Sequence, residues 1–216
     1  RTEGDTKGGE RAPYALARRR ELFLHLALLG LRRGELAGLR WSSVVRETTP
    51  PRLIISATRV VARGKVIDQR DGKSAASKRE VLLPPHVVDI ITRVQREQAE
   101  YKRQRGKKWR GPDDQWLIAH PNGKPVQPGT LDTWWTAALA HAGVPHRRLH
   151  ASRHTAATAM ILGGVPAAKV AAWLGHSDGG VLALRTYAHV RADDLADVLD
   201  VFARPAVKPE EGDAAS

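Results

Sequence analysis

Apolar residues recur at three- and four-residue intervals along most of this chain, and one region is instead rich in β-branched residues. That pattern predicts helices interrupted by a small sheet. From Pro13 to about Leu29 the periodicity is helical, and Gly30 stands where a helix C-terminal stop is expected. A short helix is predicted over Gly34–Leu39. Leu53–Val61 is rich in Ile, Val and Thr and predicts a strand, followed by a turn at Ala62–Lys65 and a short strand to Asp68. Arg70–Ser77 is a polar loop, and Glu80–Leu83 predicts a third strand. Helical spacing returns over Pro85–Gln104; Trp116–Ala119 is a short extended piece before the turn Pro121-Asn122-Gly123. Further helices are predicted over Pro128–Ala142, Ala151–Leu162, Pro166–Leu174, about Val181–Tyr187 and Asp193–Phe202. The fold class expected is mainly α with a small antiparallel three-stranded β-sheet. Residues 1–12 are expected to be a linker or disordered start, 13–203 one domain, and 204–216 a disordered tail.

Charge changes the picture more than composition does. Lys and Arg total 35 against 23 Asp and Glu, a net charge of +12, which points to a polyanionic partner. Between Arg93 and Arg110 eight Lys/Arg face two Glu, so a basic helix and loop suited to phosphate contacts is expected there. With no cysteine, disulfides, thiolate nucleophiles and cysteine-ligated zinc are excluded. No apolar run approaches the roughly 20 residues of a membrane span, and no secretory signal pattern is present; the lack of cysteine fits a cytoplasmic protein. The chain opens on Arg1 rather than Met, as a fragment of a longer protein would.

The candidate chemistry lies mostly in the second half. His150 and Arg153 are three apart at a predicted helix start and can face the same way. His154 is four residues from His150, but a zinc-protease motif needs Glu directly after the first histidine and this chain has Ala151. No metal site and no cofactor are therefore expected. Leu174-Gly175-His176-Ser177 closes a helix, and Thr186-Tyr187-Ala188-His189-Val190 follows eleven residues after His176.

Taken together, the His-x-x-Arg box, the Leu-Gly-His box and a Tyr in a Thr-Tyr-x-His-Val setting resemble the tyrosine recombinase (phage integrase) family. The resemblance extends backward to Gly30-Leu31-Arg32-Arg33-Gly34-Glu35-Leu36, which is similar to the family's first arginine box. Lys73-Ser74-Ala75-Ala76-Ser77-Lys78-Arg79-Glu80-Val81 is similar to its lysine hairpin, with a register that selects Lys73 over Lys78. Two departures stand out: Ala-Ser precedes Arg153 where Asp-Leu is common, and the interval from His176 to Tyr187 is longer than in many members.

The resemblance implies a catalytic domain that cleaves and rejoins double-stranded DNA through a 3′-phosphotyrosyl intermediate, for integration or excision of a phage or mobile element in a bacterial cytosol. It implies Tyr187 as nucleophile, Arg32 and Arg153 as phosphate clamps, Lys73 as general acid, His150 as proton acceptor and His176 as hydrogen-bond donor, with Glu35 supporting the arginine. Arg33, Lys78, Arg79, Lys107, Lys108, Arg147 and Arg148 are expected on the DNA-facing surface. The resemblance also implies a synaptic tetramer docked through helix 193–202, and an N-terminal DNA-clamping domain outside this chain. Two alternatives stay open: a type IB topoisomerase-like nicking and rejoining enzyme, and a catalytically silent DNA-binding module.

Overall fold

The computed structural model describes residues 11–70, 78–111 and 116–175. The first helix, α1 (Arg11–Leu28), ends at Gly30, whose φ of +91° suits glycine alone. It buries Leu22, Phe23, Leu26 and Ala27. The long α3 (Pro85–Arg105), begun by proline at its first position, meets it with Val87, Ile90, Ile91 and Val94. Those residues recur every three or four positions, so one stripe faces the core. A further helix, α4 (Pro128–His141), adds Leu131, Trp134 and Trp135, and Phe23 meets Trp134 edge-on at 5.9 Å between ring centroids. Gln98 occupies the next core position of α3. It donates to the carbonyls of Trp116 and Leu117 at 3.1 Å each and accepts from the Trp41 indole at 2.9 Å, which satisfies a buried amide.

The sheet region differs in construction from the sequence reading. The run Leu53–Val61 is not one strand: it breaks at Ser56 into β2 (Arg52–Ile55) and β3 (Ala57–Ala62), which belong to different sheets. The three-stranded antiparallel sheet consists of β1 (Val44–Val45), β2 and β5 (Arg79–Leu82), in the order β1-β2-β5. The short β1 was not foreseen from the residue pattern. β3 pairs with β4 (Lys65–Arg70) as a separate two-stranded ribbon, from Ala57 opposite Arg70 to Ala62 opposite Lys65.

A physical reason for the break lies in the short helix α2 (Arg33–Gly38). A Cβ on Gly38 would stand 3.0 Å from the Ala57 carbonyl oxygen and 3.0 Å from the Thr58 Cα, and one on Gly34 would stand 3.3 Å from the Arg59 carbonyl oxygen. Strand β3 thus lies directly on the glycine side of α2, while β2 stays in the core sheet with Leu53 and Ile55 buried. The ribbon is also held at Trp116, whose ring has the guanidinium groups of Arg40, at 4.1 Å, and Arg59, at 4.8 Å, within cation–π reach of its centroid.

Two helices complete the described chain: α5 (His150–Leu162) and α6 (Ala167–Leu174). They form their own small apolar cluster of Ala157, Val170 and Leu174, edged by Met160, Ile161, Val165 and Trp173. Helix boundaries agree with the periodicity to within about two residues, the usual uncertainty of such ends. The helices expected near Val181–Tyr187 and Asp193–Phe202 lie outside the described residues. Among the described residues no helix is long and apolar enough to cross a membrane.

Candidate active site

Arg32 immediately precedes α2, in an extended conformation, with Glu35 one turn along. The Glu35 carboxylate accepts from the Arg32 backbone N–H at 2.7 Å and from its Nη1 at 2.9 Å. Arg32 Nη2 donates to the Gly175 carbonyl at 3.0 Å, across 143 positions of sequence. Gly175 caps α6 in the left-handed region (φ 67°, ψ 50°), and the residue after it is His176.

Arg153 approaches the same junction from α5. Its Nη1 donates to the Gly30 carbonyl at 2.8 Å and its Nη2 to the Leu174 carbonyl; the residue is 4% exposed. Gly30 belongs at this joint for a second reason: a Cβ there would stand 2.6 Å from a methyl of Leu174. Trp173 donates its indole N–H to the Leu29 carbonyl at 2.8 Å. Residues 29–32 are thus where the ends of α1, α2, α5 and α6 meet.

His150 begins α5 and packs edge-on against His154, with ring centroids 4.9 Å apart. Its pKa is lowered, by partial burial first and then by His154, Arg153 and Arg32, all of which disfavour a second positive charge. A histidine so placed is neutral near pH 7 and able to accept a proton. Arg32, Arg33, Arg147, Arg148, His146 and His150 all line one open cleft of roughly 640 Å³. Asp132, also in the cleft, is bound by Arg33 at 2.6 Å. Such a cleft attracts anions, and planar guanidinium donors match phosphate oxygens.

Most expected residues can be placed. Arg32, Arg33, Arg147, Arg148 and His150 share the cleft, whereas Arg153 does not line it and instead holds the carbonyls of Gly30 and Leu174. Lys78 is exposed just before β5, while Lys107 and Lys108 are exposed on the 3-10 turn following α3 and do not line the cleft. Lys73, His176 and Tyr187 lie outside the described residues. One expectation is corrected: Arg79 does not belong to a DNA-facing surface. Its side chain is 6% exposed, Nη1 and Nη2 grip the two Glu35 oxygens at 2.7 and 2.8 Å, and Nε donates to the Trp173 carbonyl at 2.8 Å.

Burial alone would push the Glu35 carboxyl up, but Arg79 and then Arg32 outweigh it and leave the pKa at about 2. His146 and Asp132 were not singled out from the residue pattern. The only local signal for His146 was its place beside Arg147-Arg148. Among the described residues no group of three potential ligands is placed to hold a metal ion.

The sequence profile of the phage integrase family matches residues 11–193. An integrase of Saccharopolyspora erythraea is 37% identical over 135 residues, covering 61% of this chain and 30% of that protein. A tyrosine recombinase XerC-like protein of Caldanaerobacter subterraneus subsp. tengcongensis is 32% identical over 181 residues, covering 80% of this chain and 46% of that protein. The chain therefore spans less than half the length of these curated relatives. Among solved structures, the Tn1549 transposon integrase in complex with transposon right end DNA superposes with a TM-score of 0.64 at 20% identity, over 94% of this chain and 69% of that one. The XerH site-specific recombinase bound to difH substrate gives 0.61 at 18% identity, over 88% and 48%. The mainly helical fold with small antiparallel sheets is the one these recombinases share, and with a profile match running from α1 to beyond α6 the chain belongs to the phage integrase (tyrosine recombinase) family.

Proposed function

We propose that this chain is the catalytic part of a site-specific DNA recombinase, cleaving and rejoining strands through a 3′-phosphotyrosyl intermediate. The observation that carries the reading is the convergence of Arg32, His150 and Arg153 at one joint. Arg32 bonds to Gly175, and Arg153 bonds to Gly30, from elements more than a hundred residues apart. Two fixed positive charges and a neutral histidine beside an anion-attracting cleft suit phosphoryl transfer, where positioning and charge stabilisation dominate.

In the proposed reaction Tyr187 attacks phosphorus. An ordinary tyrosine is only about 0.1% ionised at pH 7, so a base is needed, and His150 takes the phenolic proton. The new bond joins the tyrosyl oxygen to the 3′-phosphate. The bond from phosphorus to the 5′-oxygen breaks, and Lys73 protonates that leaving oxygen. Arg32 and Arg153 bind the non-bridging oxygens through the transition state, with a hydrogen bond from His176. Attack by another strand's 5′-hydroxyl on the phosphotyrosine rejoins DNA without ATP. The cleft arginines Arg147 and Arg148, with Arg33, are proposed to contact the DNA backbone. Residues 193–202 are proposed to dock onto a second protomer in a synaptic tetramer, acting in a bacterial cytosol.

The test uses a pool of randomised duplex DNA built so that cleavage releases the 5′ flank. The chain is expected to form a denaturation-resistant protein–DNA adduct, and Tyr187→Phe to bind the pool comparably and form none. An adduct persisting in Tyr187→Phe sinks the assignment of the nucleophile, and no adduct with the unsubstituted chain counts against strand cleavage.

A further inference from the structure

The bonds of Arg79 close a ring. From β5 its fork holds both oxygens of Glu35, and its Nε holds the carbonyl of Trp173 in α6. Glu35 in turn holds the backbone and the Nη1 of Arg32, and Arg32 Nη2 returns to Gly175, two residues past Trp173. Three elements, β5, α2 and the end of α6, are thereby locked around one half-exposed arginine that faces the cleft.

Stability does not require such a ring, since a buried ion pair is often replaceable by apolar side chains without loss. Orientation and charge do. A carboxylate gripped by one guanidinium through two parallel bonds has its plane fixed, so the oxygen facing Arg32 cannot swing away. The charge argument is independent. Glu35 alone would neutralise Arg32; with Arg79 present the trio carries one net positive charge, and the cleft-facing member is Arg32.

We propose that Arg79 is a positioning residue for strand cleavage, acting through Glu35 to hold Arg32 in place with its positive charge uncancelled. This rests on the recombinase reading above. The charged groups nearest Glu35 are Arg32 on its own helix and Arg79 on β5. On the elements packed against α2, Asp132 of α4 is taken by Arg33, and Arg59 of β3 by Asp68. Without Arg79 the buried Glu35 keeps only its bonds to Arg32, and its proton affinity rises.

Arg79→Lys keeps the charge and loses the fork; Arg79→Met loses both. Each is made in the full chain and checked for folding by circular dichroism. Two readouts follow: the rate of adduct formation on the randomised duplex pool, and the ¹⁵N resonances of the Arg32 guanidinium, assigned by their loss in Arg32→Lys. Both variants should form adduct about 100-fold more slowly, the size of effect a roughly 1 Å misplacement produces. Resolved Arg32 Nη signals of the parent should average together in the variants. For Arg79→Met the deficit relative to the parent should change with pH, because Glu35, once protonated, neither grips Arg32 as a carboxylate nor cancels its charge. A deficit equal at every pH would assign Arg79 to the frame alone and overturn the proposal.

A folded Arg79→Lys that cleaves within about threefold of the parent, or that leaves the Arg32 signals unchanged, overturns it as well. That variant decides alone if Arg79→Met does not fold. If the parent forms no adduct, the strand-cleavage reading fails separately; unchanged Arg32 signals would then overturn the holding of Arg32, and averaged ones would support it.

Discussion

Arg32 and Arg153 carry the same charge into the same joint, but their surroundings set them apart. Arg32 has a side chain 39% exposed, and Glu35 keeps Arg79 when it is removed. Arg153 is buried, and its removal leaves the Gly30 and Leu174 carbonyls without that donor. Arg32→Ala should therefore lose cleavage by two to three orders of magnitude, as about that loss follows removal of a transition-state donor, with a stability change of only about 1 kcal/mol. Arg153→Ala should lose cleavage equally and also roughly 2–5 kcal/mol of stability; equal denaturation midpoints for the two variants would contradict this. Glu35 supplies a pH signature. Its folded pKa of about 2 lies below the ordinary 4.5, so its stabilisation is full above the ordinary value and is lost as pH falls towards 2, about 3 kcal/mol in all. Urea titrations should show the parent's advantage over Glu35→Gln shrinking by about that amount across this window; a gap that stays constant would place the stabilisation elsewhere. At this scale Arg32, Glu35, His150 and Arg153 were legible because each sits in a short motif. Arg79 was not: Lys78-Arg79 before a strand reads as basic surface, and nothing nearby announces a carboxylate 44 positions earlier in sequence.

Elements with a complete local signal were legible to within a turn. The stripe of Val87, Ile90, Ile91 and Val94 defines α3, and the proline starts and glycine stops frame α3, α4 and α1. The break at Ser56 was not, because β-branched residues continue through it and the cause is tertiary, in the bare side of α2. That cause can be tested. Gly38→Ala places a methyl 3.0 Å from β3 backbone and should cost about 1–3 kcal/mol as the ribbon is pushed off. Gly129→Ala, in the first turn of α4 with nothing within 4 Å of its Cβ, should be neutral or stabilise by up to about 1 kcal/mol. Gly38→Ala melting with the parent would show that α2 and β3 do not constrain each other.

At the scale of the whole molecule, the described residues divide into two apolar clusters of unequal size. The larger joins α1, α3, α4 and the core sheet; the smaller belongs to α5 and α6, and Trp173 packs against both. Sequence periodicity located the helices of both clusters but could not say that the second would be separate, since that depends on which faces meet. Regions with little buried apolar contact open first. Native-state hydrogen exchange should therefore find the amides of α5 and α6 released together, at a lower opening free energy than those of α1 and α3. Trp173→Phe, which removes the bond to Leu29, should lower that opening energy by about 1 kcal/mol and leave α1 and α3 unchanged. Uniform protection across all four helices would refute the division. The joint at Gly30 also governs how such a protein can diversify. The exposed cleft residues Arg147 and Arg148 are open to replacement, because their side chains are not part of the core. At Gly30 every other residue meets both a forbidden backbone angle and the Leu174 methyl. A saturation library selected for recombination should be as intolerant at this position, which has no side chain of its own, as at the proposed catalytic residues, and that rigidity leaves the surrounding surface free to vary.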